Sequence, residues 1–311
     1  MGAQVIPQVE DERIAQLHRS FLRIAEVSLA LTGDSAGAVH LERELKPFLS
    51  PPHQPEFDIE VSVEWIDHLQ PARGVPVFDS GAVWSLFHRG RELVFDFRNS
   101  TLSLNPYKRL LADPTFRFAQ LYLNRELLEK LPSVSALEYP ADELLFTNYL
   151  AFHGLGVEVH GCGLIDADHR GHLFLGHSGA GKSTTARLWE SFHKPTILSD
   201  DRIILRLHEG ELWMYGTPWH GEAAFACPGK AKLHEIFILQ HGTKNCFAPT
   251  VKARAAGELF ARCFPPFHSA LGLEHTIEFL NRVVDAVPCF DFQFVPDRSA
   301  VETVLQFRGA R

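Results

Sequence analysis

The chain of 311 residues is long enough for one large domain or two of ordinary size. Its hydrophobic fraction of 45% and charged fraction of 22% are those of a globular protein, and exclude disorder, collagen and coiled coil as the dominant state. A net charge of −8, from 30 Lys and Arg against 38 Asp and Glu, argues against nucleic-acid backbone binding as the main activity.

Cys162, Cys227, Cys246, Cys263 and Cys289 are dispersed, without a CxxC pair, and predict reduced thiols in a cytoplasmic protein. The opening MGAQVIPQVEDERIAQLHRS carries acids where a signal peptide needs an apolar core, and Ile6 stands where a myristoylation signal wants Ser or Thr. No run approaches the roughly eighteen apolar residues of a membrane span, so no membrane association is expected.

In chain order, Ile14, Leu17, Leu22, Ile24 and Ala25 form a partial apolar stripe that predicts a helix over Glu10–Leu31. Pro47–Pro55, with four prolines, reads as a loop. From Phe57 to Leu104 the runs DIEVSVEW, VWSLFHR and ELVFDF predict a small sheet of hairpins, one of them turned by Gly90-Arg91. ADELLFTNYLAFHGL reads as an amphipathic helix, with Leu144, Leu145, Tyr149 and Leu150 placed to pack. The strand-like runs VEVHGCGLID and HLFLG follow. The last third alternates strands (RIILRL, ELWMYG, EIFILQ, FDFQFV) with helices around Ala253–Phe260, Glu274–Ala286 and Ser299–Phe307. The expected organisation is an α+β module over residues 1–140 and an α/β nucleotide-handling module over 141–311.

Gly176-His177-Ser178-Gly179-Ala180-Gly181-Lys182-Ser183 fits GxxxxGK[ST] at every fixed position. An apolar run, His172–Leu175, precedes it and a helical run from Ser183 and Thr184 onward follows, which is the context such a loop requires. The glycines let backbone amides approach phosphate oxygens at a helix N-terminus. Lys182 is expected on the terminal phosphates of ATP and the Ser183 hydroxyl on Mg2+. Thr196–Asp201 is an apolar run ending in two carboxylates, with Asp200 eighteen residues beyond Lys182. Two adjacent Asp suit two tasks, one holding the metal and one taking a proton from an attacking hydroxyl. Which of Asp200 and Asp201 does which is left open.

GHSGAGKST followed by LSDD resembles the catalytic domain of the HPr kinase/phosphorylases, which share a phosphate-loop fold with the ATP-dependent phosphoenolpyruvate carboxykinases. The pair His160-Gly161, sixteen residues before the loop, matches a His-Gly pair that these kinases carry at a strand end. The resemblance covers about residues 140–240 and implies an active-site role for His160. The residue alone reads more readily as a satisfied core histidine. FDSGAVWSLFHRG adds to the likeness to the looser group of related kinases that phosphorylate serine on precursor peptides. His177 and Thr184 stand where HPr kinases usually carry Asp and Glu, and their downstream Arg/Gly-rich segment is missing, so HPr and phosphorolysis are not expected. The fold class implied is α/β (α+β overall): a phosphoenolpyruvate carboxykinase-like phosphate-loop kinase domain with a mixed sheet, after a smaller α+β N-terminal module. The resemblance also leaves room for a homo-oligomer.

His169 and His172 read as surface turn residues and His177 as a loop side chain, with spacings that fit no zinc motif. Tyr215–Gly221 reads as a tight aromatic turn, either lining the pocket or forming a buried corner. Lys230, Lys232, Arg202 and Arg262 read first as solvated charges, with phosphate contact as the alternative. The Phe residues of ARCFPPF read as core and turn. The function expected is an ATP-dependent kinase acting on a serine hydroxyl of a peptide or protein. A small-molecule kinase (free serine, for example), a nucleotide-dependent switch and a degenerate binding module are the alternatives. The absent NKxD motif weakens a GTPase.

Overall fold

The computed structural model describes residues 17–51, 56–81, 83–129, 131 and 134–308. The fold is mixed α/β, built on two large mixed sheets. The first contains β1 (His18–Ile24), β2 (Val27–Gly33), β3 (Ile59–Ile66), β4 (Val75–Asp79), β5 (Trp84–Arg89), β6 (Glu92–Asn99), β7 (Ser103–Ala112) and β8 (Phe118–Asn124). Its order is β1-β2-β3-β8-β7-β6-β5-β4, with β2–β3 and β3–β8 parallel. Gly90-Arg91 does turn the β5–β6 hairpin, with Gly90 at φ 66°. The sheet is larger than hairpins alone would build, because two crossovers bring β3 between β2 and β8.

The helix expected over Glu10–Leu31 is replaced, in its described part, by the β1–β2 hairpin. Residues 10–16 lie outside the described residues. Leu22 and Ile24 are buried and Arg19 and Arg23 exposed, a period of two that a helical reading of the same apolar set overlooks. The turn residues Ala25 and Glu26 both have positive φ, 49° and 62°, in a pair without the usual Gly or Asn. Contacts from the second sheet hold them there. Arg206 donates to the Ala25 carbonyl, while Tyr215 Oη (3.1 Å) and Lys230 reach the Glu26 carboxylate.

After the short α1 (Arg125–Leu128) comes α2 (Ala141–Phe152), a helix as expected but not an amphipathic one. Ten of its twelve residues are buried, including Asp142, Glu143, Thr147 and Asn148, because it lies between the two sheets. Its Leu145, Phe146 and Leu150 share one core with Leu29, Val61, Phe95 and Leu121 of the first sheet and with Ile204, Tyr215 and Trp219 of the second.

The second sheet contains β9 (Gly156–Ile165), β10 (Gly171–Leu175), β11 (Thr196–Ser199), β12 (Arg202–His208), β13 (Glu211–Gly216), β14 (Lys230–His241), β15 (Cys246–Pro249) and β16 (Cys289–Phe294). Its order is β10-β9-β12-β13-β14-β16-β15, with β11 on β9. β10 also pairs in parallel with the long β14, so β9, β12, β13, β14 and β10 form a closed circuit. Alternate side chains feed two cores, as a sheet covered on both faces demands. Val159, Leu173 and Leu175 pack toward α4 (Lys252–Phe260) and α5 (Ala270–Ala286). Cys162, Leu164 and Phe174 pack toward α3 (Lys182–His193) and α6 (Arg298–Arg308). Among the described residues, no helix is long and apolar enough to cross a membrane, and the five cysteines are free thiols.

Candidate functional site

The phosphate loop joins β10 to α3, as its pattern requires. Gly179 and Gly181 have φ of 80° and 105°, and a Cβ on Gly181 would lie 2.4 Å from the Phe294 ring, so no other residue fits there. The turn is tied by Ala180 N–H to the His177 carbonyl (3.0 Å), and α3 opens with Thr185 N–H to the Gly181 carbonyl (2.8 Å). Lys182 is buried and folded back on its own loop, donating to the carbonyls of Gly176 (3.0 Å) and His177 (3.2 Å). Burial and the neighbouring guanidinium groups of Arg262 and Arg202 lower the Lys182 pKa, against the opposing pull of Asp201. His177 and Ser178 are exposed at the loop tip, and Ser183 and Thr184 are half-buried.

The two carboxylates sit in a bend between β11 and β12, where the ladder breaks. Ser199 organises the break: its Oγ accepts the amides of Asp201 (3.2 Å) and Arg202 (3.1 Å). The two side chains consequently enter different surroundings. Asp200 is fully buried. Its Oδ1 accepts from the amides of Gly221 (3.0 Å) and Phe225 (3.3 Å), and its Oδ2 from the Ala223 amide (3.1 Å) and Ser183 Oγ (3.1 Å). All four acceptor positions of the carboxylate are used. Asp201 is partly open, with Oδ1 3.3 Å from His160 Nε2 and Oδ2 bonded to Arg202.

His160 lies mid-strand in β9, not at its end, and its amide donates to the Arg262 carbonyl (2.6 Å). Its Nδ1 lies 3.4 Å from Arg202 Nη1, which can only donate. The ring proton is thereby assigned to Nε2, facing Asp201. Burial first, then Lys182, Arg202 and Arg262, push the His160 pKa down to about 4 despite Asp201, so the ring is neutral at pH 7.

Arg202 is not a solvated charge. It donates to Glu143 Oε1 (2.9 Å), pairs with Glu158 (3.3 Å) and lies 4.3 Å from the centre of the Phe264 ring. Burial opposes its charge, but Glu143, Glu158 and Asp201 outweigh that and raise its pKa. Glu158 lies 3.3 Å from Arg202 Nε and beside Glu143. Burial, and then the adjacent Glu143, hold its carboxyl well above the usual range. Arg262 is likewise enclosed, paired with Glu258 (2.5 Å). Glu143 and Glu158, which hold Arg202 in place, carry no motif, and only their distant positions in the fold make them part of the site. A cavity of about 430 Å³ opens beside Asp201, lined also by Arg202, His220, Trp219, Tyr139 and Glu138, with no loop residue in its wall.

The aromatic turn Tyr215–Gly221 contributes both as lining and as a corner. His220 faces the cavity, and buried Trp219 donates to Asp142 Oδ2 (2.9 Å), a carboxyl that burial raises to about 7. Lys230 and Lys232 are solvated, as expected, and paired with Glu26 and Glu211. His169 and His177 are exposed as expected, but His172 is fully buried in β10. It lies between Asp166 (2.8 Å) and Glu235 (3.1 Å) and stacks on Trp189, because its β10 neighbours pair on both sides. Phe264 and Phe267 of ARCFPPF are substantially exposed, not core. Among the described residues, no group of three or more His, Cys, Asp or Glu is arranged to hold a metal.

No family model matches the chain, and no curated protein matches it. Among solved structures it is similar to the HPr(Ser) kinase/phosphatase from Coxiella burnetii, at 15% identity and a TM-score of 0.31. That match covers 49% of this chain and 96% of the other.

Proposed function

We propose that the chain is an ATP-dependent phosphotransferase that moves the γ-phosphoryl group to a serine hydroxyl of a peptide or protein. The observation that carries this reading is the bend at Asp200-Asp201. It sets one carboxylate against Ser183 of the phosphate loop and the other against His160 and an open cavity. Loop amides and Lys182 would cradle the phosphates at the N-terminus of α3. The residues fit a magnesium ion held largely by nucleotide oxygens, since Mg2+ commonly takes only one or two protein ligands. Ser183 Oγ and Asp200 Oδ2, 3.1 Å apart, are the pair that would hold it, with Ser183 turning from the carboxylate. Such an ion neutralises charge that develops on the transferring group.

Asp201 is then the base. It is the carboxylate with access to an acceptor, and the proton of the attacking hydroxyl passes to it. His160, neutral with Nε2 3.3 Å from Asp201 Oδ1, would orient the Asp201 carboxylate, while Arg202 fixes its other oxygen. Transfer of radiolabelled phosphate from Mg-ATP to serine peptides tests the reading. Lys182→Ala is expected to weaken ATP binding at least tenfold, from loss of a charge-assisted bond. Asp201→Asn is expected to abolish transfer with ATP binding intact. Unchanged transfer in Asp201→Asn would overturn the assignment of the base. Slow ATP hydrolysis without transfer to any acceptor would favour a nucleotide switch, and transfer only to free serine a small-molecule kinase.

A further inference from the structure

The phosphate loop leaves the C-terminal end of β10, which runs parallel to β14, and β14 in turn runs parallel to β16. The last residues of those two strands, His241 and Phe294, are register partners, and both reach the loop. Phe294 is buried against Gly181, and the exposed His241 ring lies nearly parallel to it, with centres 6.4 Å apart and planes at 21°. His241 Nε2 is 3.1 Å from the Gly179 carbonyl oxygen. A carbonyl can only accept, so Nε2 carries the proton and donates it. No motif marks this histidine, which stands 62 residues from Gly179 and meets it through the pairing of β14 with β10.

The bond acts on a peptide unit that the chain itself leaves loose. Gly179 and Gly181 flank Ala180 with φ of 80° and 105°, and glycine has the widest backbone freedom of any residue. The Gly179–Ala180 peptide is gripped at both ends, its carbonyl by His241 and its N–H by the His177 carbonyl (3.0 Å). Lys182 closes the other side of the loop through the Gly176 and His177 carbonyls. That uses two of its three N–H donors and leaves the third for a phosphate oxygen. The loop is thus already shaped as an anion cradle, and a fixed peptide plane at its tip keeps the flanking amides from turning away. A binding-competent shape that is only fractionally populated raises the apparent dissociation constant by the inverse of that fraction.

We propose that His241 is a positioning residue for the nucleotide, holding the Gly179–Ala180 peptide in the orientation that receives the triphosphate. The role in nucleotide binding rests on the reading of the loop as an ATP site, whereas the hold on the loop can be measured in the free chain.

In the ligand-free full chain, His241→Ala should speed deuterium exchange of the loop amides. His241→Gln, whose NH2 reaches as far as Nε2, should restore slow exchange; His241→Asn, one methylene shorter, should not. Mg-ATP and magnesium tripolyphosphate, the same phosphates without sugar and base, would then be titrated calorimetrically. His241→Ala is expected to weaken both by the same factor, about threefold, within the span of one net hydrogen bond. In phosphate transfer the KM for ATP should rise by that factor while kcat holds, and His241→Gln should recover it. Unchanged exchange and affinity in His241→Ala, or a Gln variant no better than Ala, would overturn the positioning role. Weakening confined to ATP would make the ring a contact of the base and also overturn it. Exchange in the expected order in a chain that binds neither ligand would overturn the ATP-site reading, and with it the role in nucleotide binding.

Discussion

Replacing Asp200 by Asn removes a charge and one accepting oxygen from a site with no exposed surface. The carboxylate accepts four bonds, two on each oxygen, three from backbone amides and one from Ser183. An amide keeps one oxygen and turns its NH2 against the donors that faced the other, so two bonds are lost in either orientation. Bonds to a charged acceptor contribute about 1.5–3 kcal/mol each, which places the loss at about 3–6 kcal/mol. If the NH2 faces Ser183, the hydroxyl can rotate to accept, and the loss falls toward the lower value. Asp201→Asn is the control. Its carboxylate is partly open and paired at the site edge, so about 1 kcal/mol or less is expected. Urea unfolding followed by circular dichroism measures both. A loss under about 1 kcal/mol for Asp200→Asn would refute the claim that this carboxylate is a buried organiser of the Gly221–Phe225 segment.

Three further outcomes are expected. Lys108, 1% exposed, donates to the Ser135 carbonyl (3.0 Å) and Glu138 (2.7 Å), so Lys108→Ala should cost about 3 kcal/mol in urea unfolding, with part restored in a Lys108→Met/Glu138→Leu double variant. His160 and His268 are both held down to about 4, from an ordinary 6.5, by burial first, so the unfolded chain binds more protons between these values. The stability they contribute is present above about pH 6.5 and lost as pH falls toward 4; thermal unfolding across that range should show the slope, and His160→Gln with His268→Gln should flatten it. Reducing and non-reducing denaturing gels of fresh protein should match, since all five cysteines are free; a reductant-sensitive band would contradict this.

What could be read from the sequence was whatever is local. The phosphate loop, its flanking strand and helix, and the carboxylate bend are each fixed by neighbours a few residues apart. The strands of the last third read correctly because alternation and runs of Ile, Leu and Phe are strong signals. The β1–β2 hairpin was hidden because Ala25-Glu26 is no turn signature, and its positive φ values are held by Arg206, Tyr215 and Lys230, some 180 residues and more away in sequence. The roles of Arg202 and His172 were hidden for the same reason. Arginine reads as solvated until Glu143 and Glu158 are brought to it, and histidine reads as a surface turn until β9 and β14 enclose it. Asp200 and Asp201 were legible as a pair but not as different groups. What separates them is chiefly the amides of Gly221, Ala223 and Phe225, which enclose Asp200 and leave Asp201 open.

Helix α2 has a thermodynamic consequence for the whole chain. Its apolar residues complete the core of the first sheet, while Asp142 and Glu143 at its start are bonded to Trp219 and Arg202 of the second. Neither sheet can open its inner face without stripping this helix of partners, and neither can keep the helix if the other opens. Cooperative units are set by such shared burial. The two sheets are therefore expected to melt in one transition, and the amides of α2 to be among the last to exchange with deuterium.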